Sequence, residues 1–117
     1  MAPIQRFHIG ARYSEIAVHN GTAYLAGQVP DDATQDISGQ TAQVLGMVER
    51  LLVEAGSDKS RILMVQIFLK DIGEIGAMNA VWDAWIPAGH APPRATVQAQ
   101  LGDTAWRIEI VVTAAVA

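Results

Sequence analysis

The 117-residue chain contains no cysteine, which removes disulfides, thiolate nucleophiles and Cys-based zinc sites from consideration. It also lacks clustered positive charge: eight Lys and Arg are scattered among twelve Asp and Glu, for a net charge of −4. Binding to a phosphate backbone depends on a clustered cationic surface, so no nucleic-acid partner is expected. No stretch approaches the ~18 apolar residues of a membrane span, and no basic segment leads into an apolar run at the N-terminus. The expectation is a soluble cytoplasmic protein with no membrane partner. Repeats, low-complexity tracts and linkers are missing as well, so residues 1–117 are read as a single domain. His8 and His19 have no carboxylate or histidine at metal-ligand spacing. Ser14 and Ser38 lack the His-Asp context of a hydrolase triad. No glycine cluster joins a strand to a helix to cradle phosphate. Neither a metal nor a cofactor is called for.

What is present is a folding chain. Half of its residues are hydrophobic and only 17% are charged, enough apolar surface for a core. Short strands are expected over Phe7 to Ile9, Ser14 to His19 and Thr22 to Ala26, with Asn20-Gly21 as a tight hairpin between the last two. Gly27 to Gly39 reads as a loop. A helix follows from about Gly39 to Ala55, with Val44, Val48, Leu51, Leu52 and Ala55 on one stripe and Gly56 as its stop. Arg61 to Leu69 is almost continuously apolar, as in a strand buried on both faces. Asp71 and Glu74 suit a capping box before a second helix carrying Ile75, Met78, Val81, Trp82 and Trp85, closed by Gly89. By that spacing the two tryptophans are core anchors.

The C-terminal segment is the most informative. Pro93 to Leu101, Gly102-Asp103 and Thr104 to Val116 read as two strands joined by a two-residue turn. That register sets Gln98 opposite Arg107, Thr96 opposite Glu109 and Arg94 opposite Val111. Arg94, Thr96, Gln98, Arg107 and Glu109 then share one face, and Ala95, Val97, Ala99, Ile108, Ile110 and Val112 the other. A guanidinium within a sheet domain needs an anion, because an unpaired buried charge is very costly. The partner is either a protein carboxylate, such as Glu109, or a ligand carboxylate. The β-β-β-α-β-α-β-β order leaves two helices for up to six strands, so one sheet face has no layer to cover it. A homo-oligomer is expected to bury that face.

Ala11-Arg12-Tyr13-Ser14, Ala26-Gly27-Gln28-Val29-Pro30, Ala77-Met78-Asn79-Ala80-Val81-Trp82, Pro92-Pro93-Arg94-Ala95-Thr96-Val97 and Ile108-Glu109-Ile110 fall in a familiar order and spacing. Over essentially the whole chain the sequence resembles the YjgF/RidA/RutC family. The segment from Asn79 to Gln98, with Trp82-Asp83-Ala84-Trp85 and Ala88-Gly89-His90-Ala91-Pro92, is most similar to the YoaB-type branch. The resemblance implies a chorismate-mutase-like α+β fold, a mixed six-stranded sheet with two helices on one face, assembled as a homotrimer with three clefts between subunits. It implies hydrolysis of enamines and imines to 2-oxo acids and ammonia. Arg94 would clamp the carboxylate of a small ligand in a bidentate fork. Backbone groups at Gly27 and Thr96 would help fix that ligand, Tyr13 would wall the cleft, and Asn79 would contribute from the second helix.

One departure bears on activity. Where the deaminase pattern reads Glu-Ile-Glu and uses the second Glu to position water, this chain reads Glu109-Ile110-Val111. Valine neither accepts a proton nor orients water. Glu109 matches the first Glu, and the expected register puts it diagonal to Arg94, roughly 7–8 Å away. The resulting expectation is a binder of 2-oxo or 2-imino carboxylates with weak deaminase activity. The alternatives are an active imine deaminase, with Arg94 and either Glu109 or His90 as catalytic groups, and a ribonuclease or translation inhibitor, which the acidic balance disfavours.

Overall fold

The computed structural model describes residues 2–117. Strands β1 (Gln5–Ile9), β2 (Ser14–His19) and β3 (Thr22–Leu25) precede helix α1 (Ile37–Glu54); β4 (Ile62–Leu69), α2 (Ile75–Trp85), β5 (Arg94–Gln98) and β6 (Ile108–Ala115) complete the chain. The sheet order is β1-β2-β3-β6-β4-β5. Only β4 and β5 run parallel.

Local chemistry explains most element ends. Asn20 and Gly21 both take positive φ, 50° and 77°, as the tight turn between β2 and β3 requires. Helix α1 begins at Ile37, two residues before Gly39, because Asp36 caps it by accepting from Gly39 N at 2.9 Å. The expected capping box is not formed. Asp71 instead caps its own 3-10 turn through Gly73 N at 2.8 Å, while Glu74 pairs with Arg107 at 2.9 Å. Helix α2 stops at Trp85 rather than at Gly89, since Ile86 precedes Pro87 and takes the extended conformation (ψ 132°).

The expected hairpin between the last two strands does not exist. β5 pairs parallel with β4, β6 pairs antiparallel with both β4 and β3, and β4 lies between β5 and β6. A strand, crossover helix, strand unit returns the chain parallel to its start, so β4-α2-β5 decides the pairing over the local Gly102-Asp103 turn signal. The faces change accordingly. Arg94 pairs with Val65 and Val65 with Val112; Thr96 with Ile67 and Ile67 with Ile110; Gln98 with Leu69 and Leu69 with Ile108. Arg94, Thr96 and Gln98 therefore share the helix-covered face with Ile108, Ile110 and Val112. Glu109 and Val111 lie on the opposite face with Ala95 and Val97. Val111 pairs with Gln66, not Arg94.

Both helices cover one face, burying Ile16, Leu25, Val65, Ile67, Ile108 and Ile110 beneath Val44, Val48, Leu52 and Met78. The other face is open in the single chain. Tyr24, Met64 and Val97 are 52%, 37% and 47% exposed there, in cross-strand rows with Thr113, Phe68 and Glu109. Within the single chain β4 is thus buried on its helix-covered face only, where its composition suggested burial on both.

Gln40 ties the segment before α1 to the segment before β6. It is fully buried; its amide nitrogen donates to the carbonyls of Ala33, Gln35 and Ala105, and its oxygen accepts from Arg107 N at 2.8 Å. Gln40→Ala should cost about 2–4 kcal/mol, because it strands several backbone groups as well as leaving a void. Thermal denaturation should show a fall of roughly 10 °C. Gln40→Leu fills the void but strands the same backbone groups, so it should also melt well below wild type.

Candidate functional site

Pro92-Pro93 forces an extended entry into β5, and Arg94 is the first residue of that edge strand. Its guanidinium carbon lies 5.3 Å from the ring centroid of Trp82 on α2. Arg94 makes no side-chain hydrogen bond or ion pair among the described residues; the three ion pairs found there are His8–Glu54, Lys59–Glu49 and Arg107–Glu74. The internal pair with Glu109 is absent, because the two side chains leave opposite faces of the sheet with β4 between their strands.

The edge supplies more than the guanidinium. Pro93 O accepts from Val65 N and Ala99 N donates to Leu69 O, so the odd-numbered residues of β5 face β4. The alternation of a parallel ladder then turns the backbone N–H and C=O of Arg94, Thr96 and Gln98 to the open edge. Asn79 stands one helical turn before Trp82. The Oδ1 of Asn79 and the Oγ1 of Thr96 are buried without a hydrogen-bond partner.

A second cluster forms around the loop after β3. Ala26 N donates to Glu15 O, and Gln28 exchanges two backbone hydrogen bonds with Ile110. The backbone N–H of Gly27, between them, has no partner among the described residues. The Glu109 carboxylate lies directly over Gly27, where a Cβ would collide with Oε2. Only glycine permits that approach. Glu109 is partly buried and itself unpaired among the described residues. Tyr13 is 66% exposed on a groove of about 810 Å³ that it shares with Arg12, Gln28, Met47 and Arg50.

The structure therefore separates most of the expected site residues into two groups: Arg94, Thr96 and Asn79 at the β5 edge and under α2, and Gly27 with Glu109 on the open side. Tyr13 stands apart on its groove beside Gln28. His90 belongs to neither by any contact. It is exposed, and with Arg61 it adds to the lowering of the Asp58 carboxyl, which is due first to the hydrogen bonds from Ser60. Trp82 was legible only as a core aromatic; helical spacing shows that a side chain is buried but not what lies over its ring. Among the described residues no three His, Asp or Glu side chains gather as a metal site. Nor is any helix among them long and apolar enough to cross a membrane.

A mixed, mostly antiparallel six-stranded sheet with two helices on one face is an α+β fold shared with solved structures of the YjgF family. The endoribonuclease L-PSP family model matches residues 3–116, and the chain belongs to that family. Its curated relatives include the RutC family protein of Haemophilus ducreyi, 44% identical over 113 residues and 97% of each chain. The RutC family protein YoaB of Escherichia coli is 45% identical over 113 residues, 97% of this chain and 98% of that one. Among solved structures, a YjgF-family protein from Neisseria meningitidis superposes with a TM-score of 0.96 at 43% identity, covering 98% of this chain and 96% of that one.

Proposed function

We propose that this protein assembles as a homotrimer and binds a small 2-oxo or 2-imino carboxylate in each of three clefts between subunits. The observation that carries this reading is the split of the site. Arg94 keeps its donors free on one side of the sheet, and Gly27 with Glu109 offers an unused N–H and a carboxylate on the other. One chain cannot close both groups around one small molecule; two adjacent copies can. The exposed apolar rows around Tyr24, Met64 and Val97 are the surface such an assembly would bury. In the cleft, Arg94 takes the carboxylate as a fork and the edge N–H of Thr96 and the Gly27 N–H hold the rest.

Hydrolysis of a bound imine requires water to add to the C=N carbon as its proton is taken up. The nitrogen is then protonated and leaves as ammonia, giving the 2-oxo acid. Without a carboxylate at position 111 that step is slow. A second reading, an active imine deaminase using Glu109 as the proton acceptor, draws support from the unpaired carboxylate resting on Gly27. A ribonuclease reading has no comparable support, since the chain offers no clustered cations.

Light scattering should give a trimer, and calorimetry with 2-oxobutyrate one ligand per subunit. Gly27→Ala should weaken binding by displacing Glu109, and Arg94→Ala should abolish it. Co-refolded mixtures of the two variants should then recover binding, because a cleft pairing the two intact halves exists only in mixed trimers. A stable monomer at micromolar concentration, or two defective parents with no recovery, would overturn the shared cleft.

A further inference from the structure

We propose that Trp82 is the positioning residue for Arg94, holding the guanidinium on its indole so that no protein carboxylate competes with the ligand for the N–H donors. This rests on the reading of Arg94 as the carboxylate clamp. A half-buried arginine is ordinarily steadied by an acid, and among the described residues none lies within ion-pair distance. What lies over the charge instead is the Trp82 ring, 5.3 Å away. An indole face attracts a cation but supplies no acceptor in the guanidinium plane. The five donors of Arg94 therefore stay unspent, while its side chain is restrained before a ligand arrives.

The indole is itself fixed. Trp82 is 5% exposed and packs on Trp85 with centroids 5.6 Å apart at 48°. Trp85 donates from Nε1 to Glu49 on α1 at 2.9 Å, and Lys59 lies over its ring at 5.5 Å. Glu49 in turn pairs with Lys59 at 3.5 Å. A run of contacts thus leads from α1 through two indoles to the guanidinium. The acid in this run, Glu49, sits at the far end, where it steadies the aromatic pair and leaves Arg94 untouched.

The test combines one readout that needs no ligand with one that does. In the free protein, ¹⁵N NMR of the arginine side chain should show Arg94 Nε–H displaced by the indole ring current, and Trp82→Leu should return it to an ordinary position. Calorimetry with 2-oxobutyrate should show about fivefold to thirtyfold weaker binding for Trp82→Leu, and near-native binding for Trp82→Phe, which restores an aromatic face. Site-specific incorporation of a polyfluorinated tryptophan at position 82 keeps the shape but withdraws the negative face. It should weaken binding as Trp82→Leu does, and it covers the case in which the leucine variant fails to fold. In the Arg94→Ala background none of these changes should matter further. Native affinity in the fluorinated protein, or no ring-current displacement of Arg94, overturns the positioning role. A displaced Arg94 in a protein that 2-oxobutyrate does not bind, or that binds it equally after Arg94→Ala, would sink the ligand reading and leave the Arg94–Trp82 contact standing.

Discussion

Arg94→Ala is expected to remove measurable binding of 2-oxobutyrate while leaving the protein folded. Losing a charge-assisted fork to a carboxylate costs about 2–4 kcal/mol, roughly thirtyfold to a thousandfold in affinity. Arg94→Lys keeps the charge but cannot form the fork, so an intermediate loss of about tenfold is expected. The melting temperature separates a ligand clamp from a structural arginine. Among the described residues the Arg94 side chain makes no hydrogen bond and no ion pair; its one specific partner is the Trp82 ring. Alanine should therefore shift the melting temperature by only a few degrees, the scale of about 1 kcal/mol. Calorimetry and thermal denaturation on the same samples check this. Equal affinity in wild type, Ala and Lys variants, together with a large fall in stability, would make the guanidinium structural.

Val111→Glu is expected to raise imine hydrolysis by about a hundredfold, the lower part of the range for a positioned general acid or base. Val111 lies on the open face, two residues along β6 from Glu109 and on the same side as the Gly27 contact. A carboxylate there joins the group that Gly27 and Glu109 already form, on the face of the sheet opposite to Arg94 of the same chain. Two carboxylates on one partly covered face repel and lose hydration, so the variant should melt lower than wild type even as it gains activity. Semicarbazone trapping with 2-iminobutyrate gives the rates. Glu109→Gln on the wild-type background is the companion measurement. A fall to the spontaneous rate would assign residual catalysis to Glu109, and an unchanged rate above it would point to another group such as His90. No rate above the spontaneous one, in a protein that still binds ligand, would leave a binding site. If wild type already matches Val111→Glu, the missing acid is dispensable here.

The two experiments bear on the two separate groups of candidate site residues, and the separation comes from one feature of the fold. β4 lies between β5 and β6, so the strands carrying Arg94 and Glu109 are two spacings apart, about 10 Å. Alternation then sends the two side chains to opposite faces. A hairpin would have put both side chains on one face, diagonal to each other, with an internal pair open to them.

Much of this protein is determined by its sequence alone. The 3.6-residue stripe of α1, the Asn20-Gly21 turn, the Met78 and Trp82 face of α2 and the order of the elements follow from local periodicity and turn chemistry, which act within a few residues. The shortage of helices for so wide a sheet likewise follows from counting elements. Which strands are neighbours was decided by tertiary structure. Period two in β5 and β6 shows that side chains alternate, but not which face meets the helices or which strand lies alongside. The local Gly102-Asp103 signal yielded to β4, which pairs with both β5 and β6, and to the parallel return through α2. Glu109 over Gly27 and Arg94 over Trp82 are contacts between residues far apart in the chain. No local pattern encodes them, because they exist only once the sheet has chosen its order.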